Sequence, residues 1–165
     1  MAEPLLFTPL SLKSVSLKNR VVVAPMHQYA AAEGHATDWH LVNAGRYAQG
    51  GAGLVIMEST KVARNGCGTV GDLGLWHDKF IPDLARCAEF IKAHGAVAGI
   101  QLGHSGRKAR LRRPWEGGTP LTGREPEIYD WDGWELVAPS AVPFGAQSAT
   151  PRALATSEVR ELVAK

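Results

Sequence analysis

The sequence predicts an α/β fold that opens like a (β/α) barrel, and three observations carry that expectation. Short apolar runs recur at residues 21–24 (VVVA), 53–57 (GLVIM) and 96–102 (AVAGIQL), too apolar for surface strands. Each gives way at once to polar groups, which is how an α/β protein places functional side chains beyond the carboxyl ends of parallel strands. Two stretches with apolar residues at helical spacing separate the runs, which makes β-α-β-α-β with right-handed crossovers. The strand spacing is long for a flavodoxin-like sheet and normal for a decorated barrel.

Taken in order, residues 6–17 hold short apolar segments broken by Pro9 and Lys13-Ser14, which predicts a small hairpin within an N-terminal segment 1–18. The first core strand follows Arg20, stops at Ala24-Pro25, and spills into His27, Gln28 and Tyr29. Asp38 is a good N-cap for a helix running to about Gln49, with Leu41, Ala44, Gly45 and Ala48 as its apolar stripe and Gly50-Gly51 as its stop. The second strand ends in Glu58-Ser59-Thr60, and a glycine-rich loop over residues 64–74 follows. Pro82 or Asp83 opens the second helix, with Leu84, Cys87, Ala88 and Ile91 on one face and Gly95 as its cap. The third strand is apolar until Gln101, with His104 just beyond.

Residues 19–102 thus form the β-α-β-α-β unit. The pattern dissolves over 103–155, which holds six prolines together with Trp115, Trp131 and Trp134. Plain loops of that length are rare, so a capping excursion over a site is expected. Trp131 and Trp134 around Asp132-Gly133 mark a hairpin whose second arm is 134–137. Ser157 then caps the start of a third helix over 156–165, with Val159, Leu162 and Val163 as its stripe. Three parallel strands cannot close a barrel and would leave bare edges, so the chain is expected to be one incomplete barrel domain.

Composition narrows the function classes. With 45% hydrophobic and 21% charged residues the chain is ordinary for a soluble protein, and a net charge of +2 from 18 basic and 16 acidic residues predicts no nucleic-acid partner. The densest basic run, Arg107 to Arg113, is read as a solvated loop or an interface, because no aromatic interleaving accompanies it. Cys67 and Cys87 have neither metal-type nor disulfide-framework spacing, which fits a reducing, cytoplasmic setting. No run is long enough to span a bilayer, and residues 1–12 lack the basic and apolar regions of a leader, so no membrane partner is expected. The GxGxxG match at residues 66–71 neither follows its strand directly nor opens a helix, so a flexible glycine-rich loop is preferred to a dinucleotide fingerprint.

The stretches NRVVVAPMHQY, GLVIMEST, LGLWHD, GIQLGHSGRKA and VAPSAVPF with QSATPRAL occur in the order and spacing of the Old Yellow Enzyme family. The chain resembles that family over nearly its whole length, and within it the thermophilic-like subclass with a Pro-Met-x-x-Tyr pattern, here Pro25 to Tyr29. The resemblance implies a (β/α)8 TIM barrel, flavin mononucleotide (FMN) as cofactor, and NADH or NADPH as reductant. It implies an ene-reductase: hydride passes from nicotinamide to flavin, then from flavin N5 to the β-carbon of an activated alkene such as an enone or maleimide, and a proton is added at the α-carbon.

By the same resemblance Ala24, Pro25 and Met26 line the flavin, Ser59 approaches its pyrimidine or C4 carbonyl edge, and Gln101 hydrogen-bonds the pyrimidine ring with its amide. Tyr29 faces the substrate. His27 departs from the family, where this position is a cysteine or a threonine near flavin N5 and O4, and the departure makes it a candidate for tuning the flavin potential. The family's substrate-gripping histidine pair or His/Asn pair, tyrosine proton donor, flavin arginine and phosphate loops are expected later than residue 165. A C-terminal half of the barrel is therefore an expected partner, and the isolated chain is expected to bind FMN weakly and to be inactive. Relatives are commonly homo-oligomers, which is expected here too.

Two other classes remain open at this level. A metal-dependent barrel hydrolase would use His27, Glu58 and His104 at three strand ends, although no HxH follows strand one. A non-catalytic half-barrel would serve only as a complementation module. His104 is read first as a structural histidine, Glu58 as a fixed charge, Trp76 as packing, and no role is assigned to His35, His40, His77 or His94.

Overall fold

A computed structural model describes residues 4–165; residues 1–3 of the predicted N-terminal segment lie outside the described residues. Strands β1 (Leu10–Leu12) and β2 (Val15–Leu17) form the expected antiparallel hairpin. Lys13 sits at its tip with φ 52°.

The central sheet has the order β3-β4-β5, all parallel, from β3 (Val22–Val23), β4 (Leu54–Lys61) and β5 (Val97–Gly103). Helix α1 (Asp38–Gln49) connects the first two strands and α2 (Ile81–Ala93) the next two. Thr37, not Asp38, is the N-cap of α1: its backbone N–H donates to His40 Nδ1 at 2.9 Å. Pro82 stands in the first turn of α2, where its missing N–H has no cost. Gly95 follows that helix at φ 74°, a left-handed turn that glycine adopts without strain. Both helices pack on one face of the sheet, over Ala44, Ala48, Val55, Met57, Cys87 and Ile91.

Strand β4 runs four residues past the predicted end of its apolar run. The pairing register jumps from Met57 opposite Ile100 to Ser59 opposite Gln101, so Glu58 is a bulge residue. A strand alternates faces with period two, and one extra residue reverses that alternation. Val55 and Met57 lie in the helix-side core, whereas after the bulge Ser59, Lys61 and the paired Gln101 share the opposite face with Leu54 and Ile56. Close contacts support this: a Cβ at Gly99 would meet Ile56 and Leu54, and one at Gly103 would meet the Ser59 hydroxyl at 2.6 Å.

Two expectations are corrected. Burial on both strand faces holds for much of β4 but not at the flanks, where Val22 is 47% and Leu102 57% exposed on the outer strands of the sheet. The tryptophan hairpin is absent as well: Trp131–Gly133 is a single 3₁₀ turn, and β6 (Val137–Ala138) pairs in parallel with β7 (Arg152–Ala153). An Asp-Gly pair makes a turn in either setting, so the turn signal was sound and the inferred strand partner was not.

Residues 103–155 share a second small core with the glycine-rich loop, in which Trp134 is fully buried against Cys67 and Leu121. Arg64 lies 3.9 Å over Trp134 and Arg110 lies 3.6 Å over Trp131. The basic run is therefore no solvated loop: Arg112 pairs with Glu125 at 2.6 Å, and Arg113 with Glu116 at 3.1 Å and Glu127 at 3.2 Å. Helix α3 (Thr156–Val163) starts at the expected residue 156, but its N-cap is Ala155 and not the predicted Ser157; Glu158 accepts from the Ala155 N–H at 2.7 Å.

Candidate functional site

The carboxyl ends of the three parallel strands bring the predicted residues onto one rim. Ser59 and Gln101 are direct register partners across β4 and β5, on the sheet face turned away from the helices. Gln101 is exposed at the end of its apolar run. Ala24 is exposed just beyond β3, and Pro25 is half-buried beside it. Met26 is 49% exposed and lines a small cavity with Gln28, His40, Asn43 and Tyr47. Its carbonyl accepts from the Gln28 amide at 2.8 Å.

His27 is held on two sides. Its ring stacks on Tyr29 with centroids 5.1 Å apart and planes 15° from parallel. Its Nε2 faces Lys61 Nζ at 3.4 Å and Asp72 Oδ2 at 3.9 Å, while Nδ1 has no partner among the described residues. Tyr29 has φ 55°, a left-handed conformation that a non-glycine residue keeps only when its surroundings enforce it. Here Arg113 Nε donates to the Tyr29 carbonyl at 3.2 Å, and Trp115 meets the ring edge-on at 5.5 Å. Burial, followed by the charges of Asp72 and Glu58, pushes the Tyr29 phenol above its ordinary range, so it remains a protonated donor.

Three residues to which the sequence assigned no role prove central. Lys61 and Asp72 are 3% and 2% exposed and stand 3.4 Å apart as an ion pair. Lys61 Nζ also donates to Ser59 Oγ at 2.9 Å. Asp72 accepts from the Gly68 N–H at 2.7 Å, the Thr69 N–H at 3.3 Å and the Thr69 hydroxyl at 2.8 Å. The third, His40, lies against Glu58 with Nε2 and Oε1 3.0 Å apart and both side chains 1% exposed. That contact is close enough for charge attraction but not aligned as a full hydrogen bond. His40 Nδ1 accepts from Thr37, which leaves its ring proton on Nε2, toward the carboxylate. The second Glu58 oxygen accepts from the Gln28 N–H at 2.8 Å, between His27 and Tyr29.

The glycine-rich loop is not a flexible rim. A Cβ at Gly66 would strike the His104 ring and one at Gly71 the Tyr29 carbonyl, so these glycines serve close approach. Cys67 in the same loop is buried, and desolvation with help from Asp72 pushes its thiol up to about 12. That makes it an inert packing residue. His104 is held within its own turn: its Nδ1 accepts from the Gly106 N–H at 3.0 Å and its Nε2 lies 3.3 Å from Asn65 Oδ1. The hydrolase set is not assembled, since Glu58 is committed to His40 and Gln28, and no three His, Cys, Asp or Glu side chains among the described residues converge on a metal position.

A parallel sheet with both crossover helices on one face, and polar groups gathered at the strand carboxyl ends, defines the N-terminal part of a (β/α)8 barrel. The chain belongs to the NADH:flavin oxidoreductase / NADH oxidase family, whose model matches residues 5–164. It is 42% identical over 161 residues to an NADPH dehydrogenase of Listeria monocytogenes serotype 4a, covering 96% of this chain and 41% of the relative. An NADPH dehydrogenase of a Geobacillus species is 34% identical, with 98% of this chain and 42% of the relative covered. Among solved structures, morphinone reductase superposes with a TM-score of 0.78 at 30% identity, over 99% of this chain and 43% of its own. An old yellow enzyme homologue from Zymomonas mobilis superposes at 0.73 with 25% identity, covering 98% of this chain and 42% of its own. The chain thus spans less than half the length of these relatives.

Proposed function

We propose that the chain supplies the flavin-cradling wall of an FMN-dependent ene-reductase that takes hydride from NADH or NADPH and reduces activated alkenes such as enones and maleimides. The observation that carries this is the rim itself, where the Gln101 amide, the Ser59 hydroxyl and the free His27 Nδ1 lie at three neighbouring strand ends. A flat heteroaromatic ring with a polar pyrimidine edge needs such a set of adjustable donors and acceptors beside apolar backbone. When bound, FMN would supply the two-electron relay between nicotinamide and alkene.

The chain's own groups do the rest by placement. The Gln101 amide donates and accepts toward the pyrimidine edge, Ser59 donates while Lys61 occupies its lone pair, and Ala24, Pro25 and Met26 present backbone along the ring. His27 sets the polarity beside the ring, and Tyr29 offers its phenol to the substrate. Residues 103–155 cap the site, which the Arg113 bond to the Tyr29 carbonyl supports. The C-terminal remainder of the barrel, as a partner segment, brings the other substrate and phosphate contacts. A cytoplasmic setting and a homo-oligomeric assembly complete the proposal.

The test is spectroscopic and kinetic, on the purified protein that contains this chain. A bound yellow chromophore and alkene-dependent oxidation of NAD(P)H are expected. Gln101→Leu should weaken FMN binding roughly 5- to 150-fold, the worth of about 1–3 kcal/mol for a bond to a buried polar edge. His27→Cys should move the flavin midpoint potential and the rate of flavin reduction. Unchanged FMN affinity and unchanged potential in these two variants would remove the chain's rim from the flavin site.

A further inference from the structure

The cluster behind His27 is a closed hydrogen-bonding problem with one solution. Asp72 is buried, and every polar neighbour within reach is a donor: the Gly68 and Thr69 N–H groups, the Thr69 hydroxyl and Lys61. A carboxylate surrounded only by donors is the ionised, acceptor-only form. Lys61 is buried beside it, and an ammonium has three protons to place. Three acceptors stand around Nζ: Ser59 Oγ at 2.9 Å, Asp72 Oδ2 at 3.4 Å and His27 Nε2 at 3.4 Å. A buried ammonium proton without a partner is costly, so the third proton is directed at His27 Nε2.

We propose that Lys61 is a positioning residue that holds His27 as its neutral Nδ1–H tautomer, so that the ring offers a hydrogen-bond donor to a bound ligand. An Nε2–H form would point its proton at the Lys61 ammonium, and Asp72 Oδ2, at 3.9 Å, is beyond hydrogen-bonding reach. The tautomer is thus set from behind by the bulge in β4, which turns Lys61 onto this face. The Nδ1–H has no partner among the described residues, and it suits a carbonyl oxygen or an unprotonated ring nitrogen. That last step rests on the flavin placement proposed above, where such acceptors line the ring edge.

Nitrogen-15 NMR of histidine-labelled protein reads the tautomer directly, with His27→Gln assigning the signals. In the wild type, His27 Nδ1 is expected in the protonated range and Nε2 in the non-protonated range. In Lys61→Met the two resonances should move toward each other or exchange, while Lys61→Arg, which keeps a cationic donor, should retain the wild-type pattern. A wild-type ring found as Nε2–H or as imidazolium at neutral pH overturns the proposal, and that measurement needs no variant to fold. An unchanged tautomer in a folded Lys61→Met protein overturns it as well. FMN addition to the whole purified protein that contains this chain, at a concentration that saturates its flavin spectrum, separates the two layers: a shift of the Nδ1–H signal supports both. A Lys61-dependent tautomer that FMN leaves unmoved supports the role of Lys61 and overturns the flavin placement.

Discussion

Burial, together with the charges of Lys61 and Lys165, lowers the proton affinity of His104, and its ring is already spent on the Gly106 N–H and on Asn65. The folded pKa lies below the unfolded value of about 6.5. As pH falls through that value the unfolded chain takes up a proton that the folded chain refuses, so stability decreases toward acid. Thermal melts of the wild type should therefore lose stability below about pH 6.5, and His104→Gln should flatten that slope. An equal slope in both proteins would place the acid sensitivity elsewhere. At this scale the sequence was partly legible. His27, Ser59 and Gln101 sit at the ends of apolar runs and announce themselves, and His104 shows its adjoining turn. Lys61 and Asp72 do not. A lysine after a strand end looks solvated and an aspartate among glycines looks like turn chemistry, and only the packed loop shows that each is the other's partner.

The strands and helices were legible because two periodicities differ: β-branched apolar runs mark the sheet, and residues three and four apart mark α1 and α2. The bulge at Glu58 was not, since an inserted residue leaves no mark in a run that is apolar before it and polar after it. Its consequence is large, because the bulge directs Glu58 to His40 while Ser59 and Lys61 turn to the sheet face away from the helices. Both Glu58 and His40 are 1% exposed in their side chains, and removing one member of a buried pair leaves the other without compensation. Glu58→Leu, which strands both the His40 Nε2–H and the Gln28 N–H, should cost about 2–6 kcal/mol, and Glu58→Gln, which keeps an acceptor for the Gln28 N–H, about 1–3 kcal/mol. Denaturant titration gives both values. The ordering is what discriminates: if Gln and Leu cost the same, the carboxylate does not anchor the 27–29 segment through the Gln28 N–H.

On the scale of the whole molecule, the sheet ends in two exposed strands, and the groove between α2 and β5 is apolar and open. Met57, Leu75, Ile81, Leu84, Ala88, Ala98 and Ile100 line a cavity of about 250 Å³ there, with Ile81 49% and Ile100 40% exposed. Exposed apolar surface flanked by an unpaired strand edge favours association, since both the side chains and the backbone N–H and C=O groups gain from a partner. More than half the length of these relatives lies outside the portion matched here, and a (β/α)8 barrel needs further βα units beside these strands. The 165 residues expressed alone should therefore bind a hydrophobic dye and self-associate with rising concentration in sedimentation experiments. Supplying the remaining barrel segment of a relative as a second polypeptide should suppress both, and should raise FMN affinity because the ring then has two walls instead of one. The groove variant Ile100→Asp provides the control. It should reduce dye binding and self-association in the isolated chain and also weaken capture of the supplied segment. If Ile100→Asp left capture intact, another surface of the chain would have to be the one that the rest of the barrel covers.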